Sequence, residues 1–164
     1  MELSILQRVR RNHAIEHAAM HLLGRTLQAP KLAARSDWRG ITFYGDVDSS
    51  VLKSALEGGL LALNSGQRAL AVHPRCGSMI SASMLLAMLA GWLVQSDLKR
   101  KRTPGRGMLG VAGITGAMLL AQPLGYAMQK YVLTDPDASH AHLVSIRFSQ
   151  RGAFTMHRVT IAHT

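Results

Sequence analysis

Two stretches without a charged side chain, residues 76–96 and 107–129, constrain this chain more than any other feature. A helix needs roughly 20 apolar residues to cross the hydrocarbon of a bilayer, and each run is long enough. Small residues recur at four-residue steps in both: Ser83, Ala87 and Gly91 in the first, Gly113, Ala117, Ala121 and Gly125 in the second. Such stripes form a groove that lets a second helix approach closely in lipid. Trp92 and Tyr126 lie near the run ends, where amphipathic rings favour the interface. Lys99, Arg100, Lys101 and Arg102, followed by Pro104 and Gly105, make a polar turn between the runs. Residues 78–130 therefore read as a transmembrane helical hairpin with a basic loop at 96–106.

The flanks read as one extramembrane domain in two pieces, 1–77 and 131–164. Residues 3–24 have apolar positions at helical spacing, with Gly24 as a stop. "ITFYGDV", residues 41–47, has strand composition, and Asp48 or Ser49 caps a helix that Asn64–Gly66 ends. "RALAVHP" reads as a second strand, and "QAPKLAARSDWRG" as a connector. After the second run, 142–148 and 154–161 alternate apolar with polar residues and suggest a β-hairpin. The expected fold class is α+β: a small mixed sheet with two helices, interrupted by the two-helix membrane hairpin.

Charge narrows the function classes. The net charge is +10 and the pI about 10.9, but aromatic residues make up only 5%. No stacking platform or nucleic-acid motif accompanies the charge, whereas anionic lipid headgroups also attract basic segments. Nucleic acid is therefore an unlikely partner, and the lipid bilayer the expected one. A membrane-protein partner or a second copy of the chain could pack on the small-residue stripes. The single cysteine, Cys76, excludes an internal disulfide framework. The N-terminus lacks the continuous apolar core of a signal peptide.

The chemistry concentrates in "RRNHAIEHAAMHLL". His13 and His17 are four residues apart, so one helical face presents both rings, and His21 extends that face by a turn. Glu16 lies beside them. Neutral imidazoles suit zinc, which takes about four ligands near 2 Å and keeps one position for water when catalytic. A carboxylate next to a ligand can serve as the general base, so Glu16 is the candidate catalytic residue. His73 and Cys76, three apart in "VHPRCGS", supply an imidazole and a thiolate that would complete a site with His13 and His17. His21 and Asp46 are alternative ligands. The plainer alternative is a helix with three polar residues on an exposed face, with Asp46 and Asp48 turning the chain and capping the next helix.

The order His-x-x-Glu-His, His13 to His17, is similar to the inverted zinc-peptidase motif, in which two histidines hold zinc and the glutamate activates its water. That resemblance covers five residues only. Together, "RRNHAIEHAAMHLLGR", "ARSDWRGITFYGDVD" and "LAVHPRCGS", followed by the paired apolar runs, resemble an uncharacterised bacterial membrane-protein family as far as about Tyr131. The resemblance implies that these blocks form one domain type and carries no assigned activity. The expected placement is multi-pass in the bacterial inner (cytoplasmic) membrane, with the domain on the cytoplasmic side. Two functions follow as expectations: a zinc-binding protein with hydrolase potential, or a non-catalytic accessory or assembly subunit of a larger complex.

Overall fold

Helix α1, Ile5–Thr26, starts at a reciprocal cap. The Gln7 N–H donates to Ser4 Oγ at 3.3 Å, and the Ser4 N–H donates to Gln7 Oε1 at 2.9 Å, so two otherwise orphaned donors are satisfied. The computed structural model describes residues 3–27, 31–74, 76–98, 106–152 and 154–164. These divide into two compact units, one of residues 1–73 and 130–164, the other of 74–129.

The first unit is built on a sheet. Strands β1 (Ala33–Asp37), β2 (Gly40–Tyr44), β3 (Ala141–Arg151) and β4 (Phe154–His163) pair antiparallel throughout, in the order β1-β2-β4-β3. The expected mixed sheet is thus corrected to an antiparallel one. The β1–β2 turn depends on Asp37, whose Oδ1 accepts from the N–H groups of Arg39 and Gly40 at 2.8 and 3.1 Å. Gly40 has φ +149°, and a Cβ there would lie 2.1 Å from the Val159 carbonyl oxygen of the neighbouring strand. Only glycine lets β2 and β4 approach so closely.

Helix α2, Ser49–Asn64, begins at Asp48, whose side chain accepts from the N–H groups of Ser50 and Val51. It packs on α1, with Gly59 against Ala18 and Ala19; a Cβ on Gly59 would meet both at 3.2 Å. The small residues bring the two helices together, and Ile15, Leu23, Ile41, Phe43, Leu52, Leu56 and Val159 close the core at 0% exposure.

Two further sequence expectations fail in this unit. The connector holds strand β1, whose "AARSD" has little strand propensity of its own and forms by pairing with β2. Residues 68–73 are not a strand. Arg68–Ala71 is a 3₁₀ turn, closed by local bonds such as Leu70 N–H to Gln67 O at 3.1 Å and Val72 N–H to Ala69 O at 3.3 Å.

The second unit is a pair of packed helices, α3 (Gly77–Leu98) and α4 (Arg106–Met128). Among the described residues, no helix is long and apolar enough to cross a membrane. This corrects the expected transmembrane hairpin, and with it the multi-pass placement in a bacterial inner membrane and the side assigned to the domain. Freedom from charge differs from high apolarity: α3 carries Ser81, Gly91 and Ser96, and α4 carries Gly113, Thr115, Gly116, Gln122, Pro123 and Gly125. The basic turn Lys99–Arg102 lies outside the described residues. Of the small-residue stripes, Gly125 packs on Met79, where a Cβ would meet the side chain at 3.2 Å, whereas Gly91 has nothing within 4 Å among the described residues.

Candidate metal centre

Four-residue spacing sets His13, His17 and His21 along one face of α1. The segment after α2 runs beside that face and brings in His73. Ring centroids are 4.3 Å apart for His13 and His17, 5.9 Å for His17 and His73, and 4.7 Å for His21 and His73. The order of contact is therefore His13, His17, His73, His21, within the sheet-bearing unit.

Backbone carbonyls orient three of these rings. His17 Nδ1 lies 2.7 Å from Ala71 O, His21 Nε2 lies 2.9 Å from Val72 O, and His13 Nδ1 lies 3.2 Å from Leu133 O. A carbonyl can only accept, so each of these nitrogens carries the proton. The other nitrogen of a neutral ring then keeps its lone pair. This arrangement is the usual one for metal-binding histidine, where the far N–H is held by a carbonyl or carboxylate. The 3₁₀ turn points the Ala71 and Val72 carbonyls at α1, where a strand would have used them in a ladder.

His17 is the best placed ring. It is 1% exposed, and its Nε2 is buried with no hydrogen-bond partner among the described residues. Burying a polar atom without a partner costs free energy, and a native structure keeps such an atom for a reason. The ligand nitrogens of His13 and His17 lie no more than 4.8 Å apart. Two nitrogen ligands on tetrahedral zinc stand roughly 3.4 Å apart, a difference that small side-chain rotations close. The donor set fits a borderline-soft divalent ion such as zinc.

Glu16 and Asp46 stand apart from these rings. Glu16 is buried on α1 and its carboxylate accepts from the Ser36 hydroxyl of β1. One residue along a helix is a rotation of about 100°, so Glu16 addresses the sheet while His17 addresses the 3₁₀ turn. Asp46 is exposed on the loop before α2. Cys76 stands at the start of the helical-pair unit, three residues along the chain from His73, and is in no disulfide.

Residues that pattern reading missed support the same helix. Asn12, 0% exposed, donates from Nδ2 to Asp37 O at 2.8 Å and accepts from His163 Nε2 at 2.8 Å. Arg11 pairs with Asp135 at 3.3 Å and Asp137 at 2.6 Å. Asp37 lies 25 residues from Asn12 and the other partners more than a hundred residues away, and no local spacing announces them.

A family model described as a domain of unknown function, DUF6391, matches residues 8–146. This chain belongs to the DUF6391 family. The matched span of this DUF6391 protein contains all four histidines of the cluster. An uncharacterized protein from Picosynechococcus sp. is similar, 34% identical over 139 residues, which covers 77% of this chain and 65% of the relative. The DUF6391 chain thus spans about two thirds of the length of the curated relative it matches. No solved structure matches it.

Proposed function

We propose that this protein binds a divalent transition metal, zinc by its donor chemistry, through the histidine face of α1. His13 and His17 are the primary ligands. His73 is the next donor, with His21 behind it. Cys76 is the thiolate the sequence offers, tied by the chain to within about 10 Å of His73. The reading rests chiefly on one observation: the buried Nε2 of His17, left with a lone pair because Nδ1–H is held by the Ala71 carbonyl. The metal's role is to fasten α1 to the segment after α2. A hydrolase would require Glu16 as base, and the Ser36 hydroxyl on its carboxylate favours the structural role.

Metal analysis of protein purified without chelators tests this. About one zinc per chain is expected, lost in His17→Ala and kept in Glu16→Gln. Cobalt substitution adds a second readout, because thiolate ligation gives a charge-transfer band that Cys76→Ser would remove. Wild-type protein that takes up neither zinc nor cobalt ends the proposal.

A second reading, the accessory subunit, is favoured by the apolar side chains bared on α3. Ile80, Met84, Leu85, Met88 and Trp92 are each at least 60% exposed. A contiguous apolar face of this kind marks an interaction surface. The two readings are compatible, since the histidine face of α1 and the bared face of α3 use different side chains.

A further inference from the structure

The sheet-bearing unit holds a cavity, distinct from the histidine cluster, of about 600 Å³. It is lined by Leu3, Arg8 and Arg11 from the N-terminal region, Asp137 and His140 from the loop before β3, and His163 and Thr164 at and just after the end of β4. Its size falls within the range of small-molecule sites.

Its charges are unequally committed. Arg11 is neutralised by Asp135 and Asp137. Asp137 is fully engaged: Oδ2 accepts from Arg11, and Oδ1 accepts from the Ser139 N–H and hydroxyl at 3.1 and 2.6 Å. Those Ser139 bonds, and then the nearby Arg11, hold its carboxyl below the ordinary 3.8, so it stays ionised. The Arg8 side chain makes no ion pair or hydrogen bond among the described residues. The cavity therefore presents one uncompensated guanidinium, with two imidazoles beside it.

His163 adds an atom that lacks a partner. Its Nε2–H donates to Asn12 Oδ1, and its Nδ1 is buried with no hydrogen bond among the described residues. Protonated, that nitrogen becomes a donor. Burial first, then Arg11, Arg8 and His142, hold His163 below its ordinary 6.5. An anion among these cations would relieve that pressure.

We infer that this cavity binds a phosphate monoester, with Arg8 as the principal contact and His140 and His163 as further donors. A phosphoryl group offers three acceptor oxygens, one for each donor, and Arg matches it with a planar fork. A phosphate monoester also carries about −1.5 to −2 charge at pH 7, against one for a carboxylate, and so answers this cationic lining better. The volume is well beyond that of inorganic phosphate, which leaves room for the organic part beside Leu3.

The test is calorimetric titration of the full chain with AMP, glucose 6-phosphate, adenosine and inorganic phosphate. A chelator is present so that metal in the histidine cluster cannot capture the phosphate. At least one ester should bind ten times more tightly than both its phosphate-free counterpart and inorganic phosphate. Arg8→Gln should weaken that ester tenfold or more. Arg25→Gln, an exposed cation in the last turn of α1 outside the cavity, should leave it unchanged. If Arg8→Gln does not fold, His140→Gln, at an exposed position, should weaken binding several-fold. No binding by either ester, preference for inorganic phosphate, or equal losses in Arg8→Gln and Arg25→Gln would overturn the assignment. Equal losses would mean attraction to the overall positive charge of the chain.

Discussion

Helix α1 buries polar side chains, whereas α3 leaves apolar ones bare. Arg11, Asn12, Glu16 and His17 on α1 are all below 10% exposure, while Met84, Leu85, Met88 and Trp92 on α3 are all above 60%. Each is the reverse of the ordinary placement, and each is informative for that reason. A buried polar group must find partners, so it fixes geometry. The partners of α1 are specific: Asp37 O and His163 for Asn12, Ser36 for Glu16, Ala71 O for His17. An exposed apolar side chain fixes nothing within its own unit and is free to meet another surface. The first helix therefore defines a site, and the third offers a face.

The comparison breaks most readily at Asn12. Its replacement by alanine removes two hydrogen bonds and leaves the Asp37 carbonyl and the His163 N–H without that partner. The expected loss is about 1–3 kcal/mol in urea unfolding. A stability equal to wild type would show that the buried polarity of α1 does not hold the fold.

A smaller effect sharpens the electrostatic side. Arg158 grips Asp37 with both nitrogens, at 2.7 and 2.9 Å, and these bonds hold the Asp37 carboxyl below its ordinary 3.8. A depressed folded-state value means the stabilisation is present above the ordinary value and is lost as pH falls through the depressed one. Arg158→Gln should cost under about 1 kcal/mol at neutral pH, because Asp37 is substantially exposed and screened. The difference from wild type should shrink as pH falls below about 4, where Asp37 begins to protonate in the unfolded chain. Unfolding curves at pH 7 and pH 3 measure it. A constant difference would place the effect on packing rather than charge.

The smallest change is expected on α3. Met88, at 71% exposure, can become glutamine at a cost below about 0.5 kcal/mol. If the accessory-subunit reading holds, the same substitution weakens association with the partner while thermal stability stays put. A loss above 1 kcal/mol in the isolated chain would mean this face is packed, and the contrast with α1 would fall.

Much of the fold was legible locally. Ser4 with Gln7 and Asp48 before Ser49 state where α1 and α2 begin, because capping chemistry acts within three residues. The alternation at 142–148 and 154–161 gave a hairpin, since a half-buried strand must alternate. Strand β1 was hidden: its residues acquire strand structure only from β2, although "DWRG", an aspartate before a glycine-closed turn, was a readable sign. The uncharged runs misled, because lack of charge was read as apolarity and the serines, glycines and glutamines were not weighed against it.

The sequence alone determined that His13, His17 and His21 share a face, because helical periodicity is a local rule. It could not decide what that face meets. Tertiary structure decided that a 3₁₀ turn, not a strand, lies beside it. The Ala71 and Val72 carbonyls there set which imidazole nitrogens keep their lone pairs, and backbone acceptors leave no mark in a side-chain pattern. It also gathered Arg8, His140 and His163 around one cavity, from positions that only chain folding brings together.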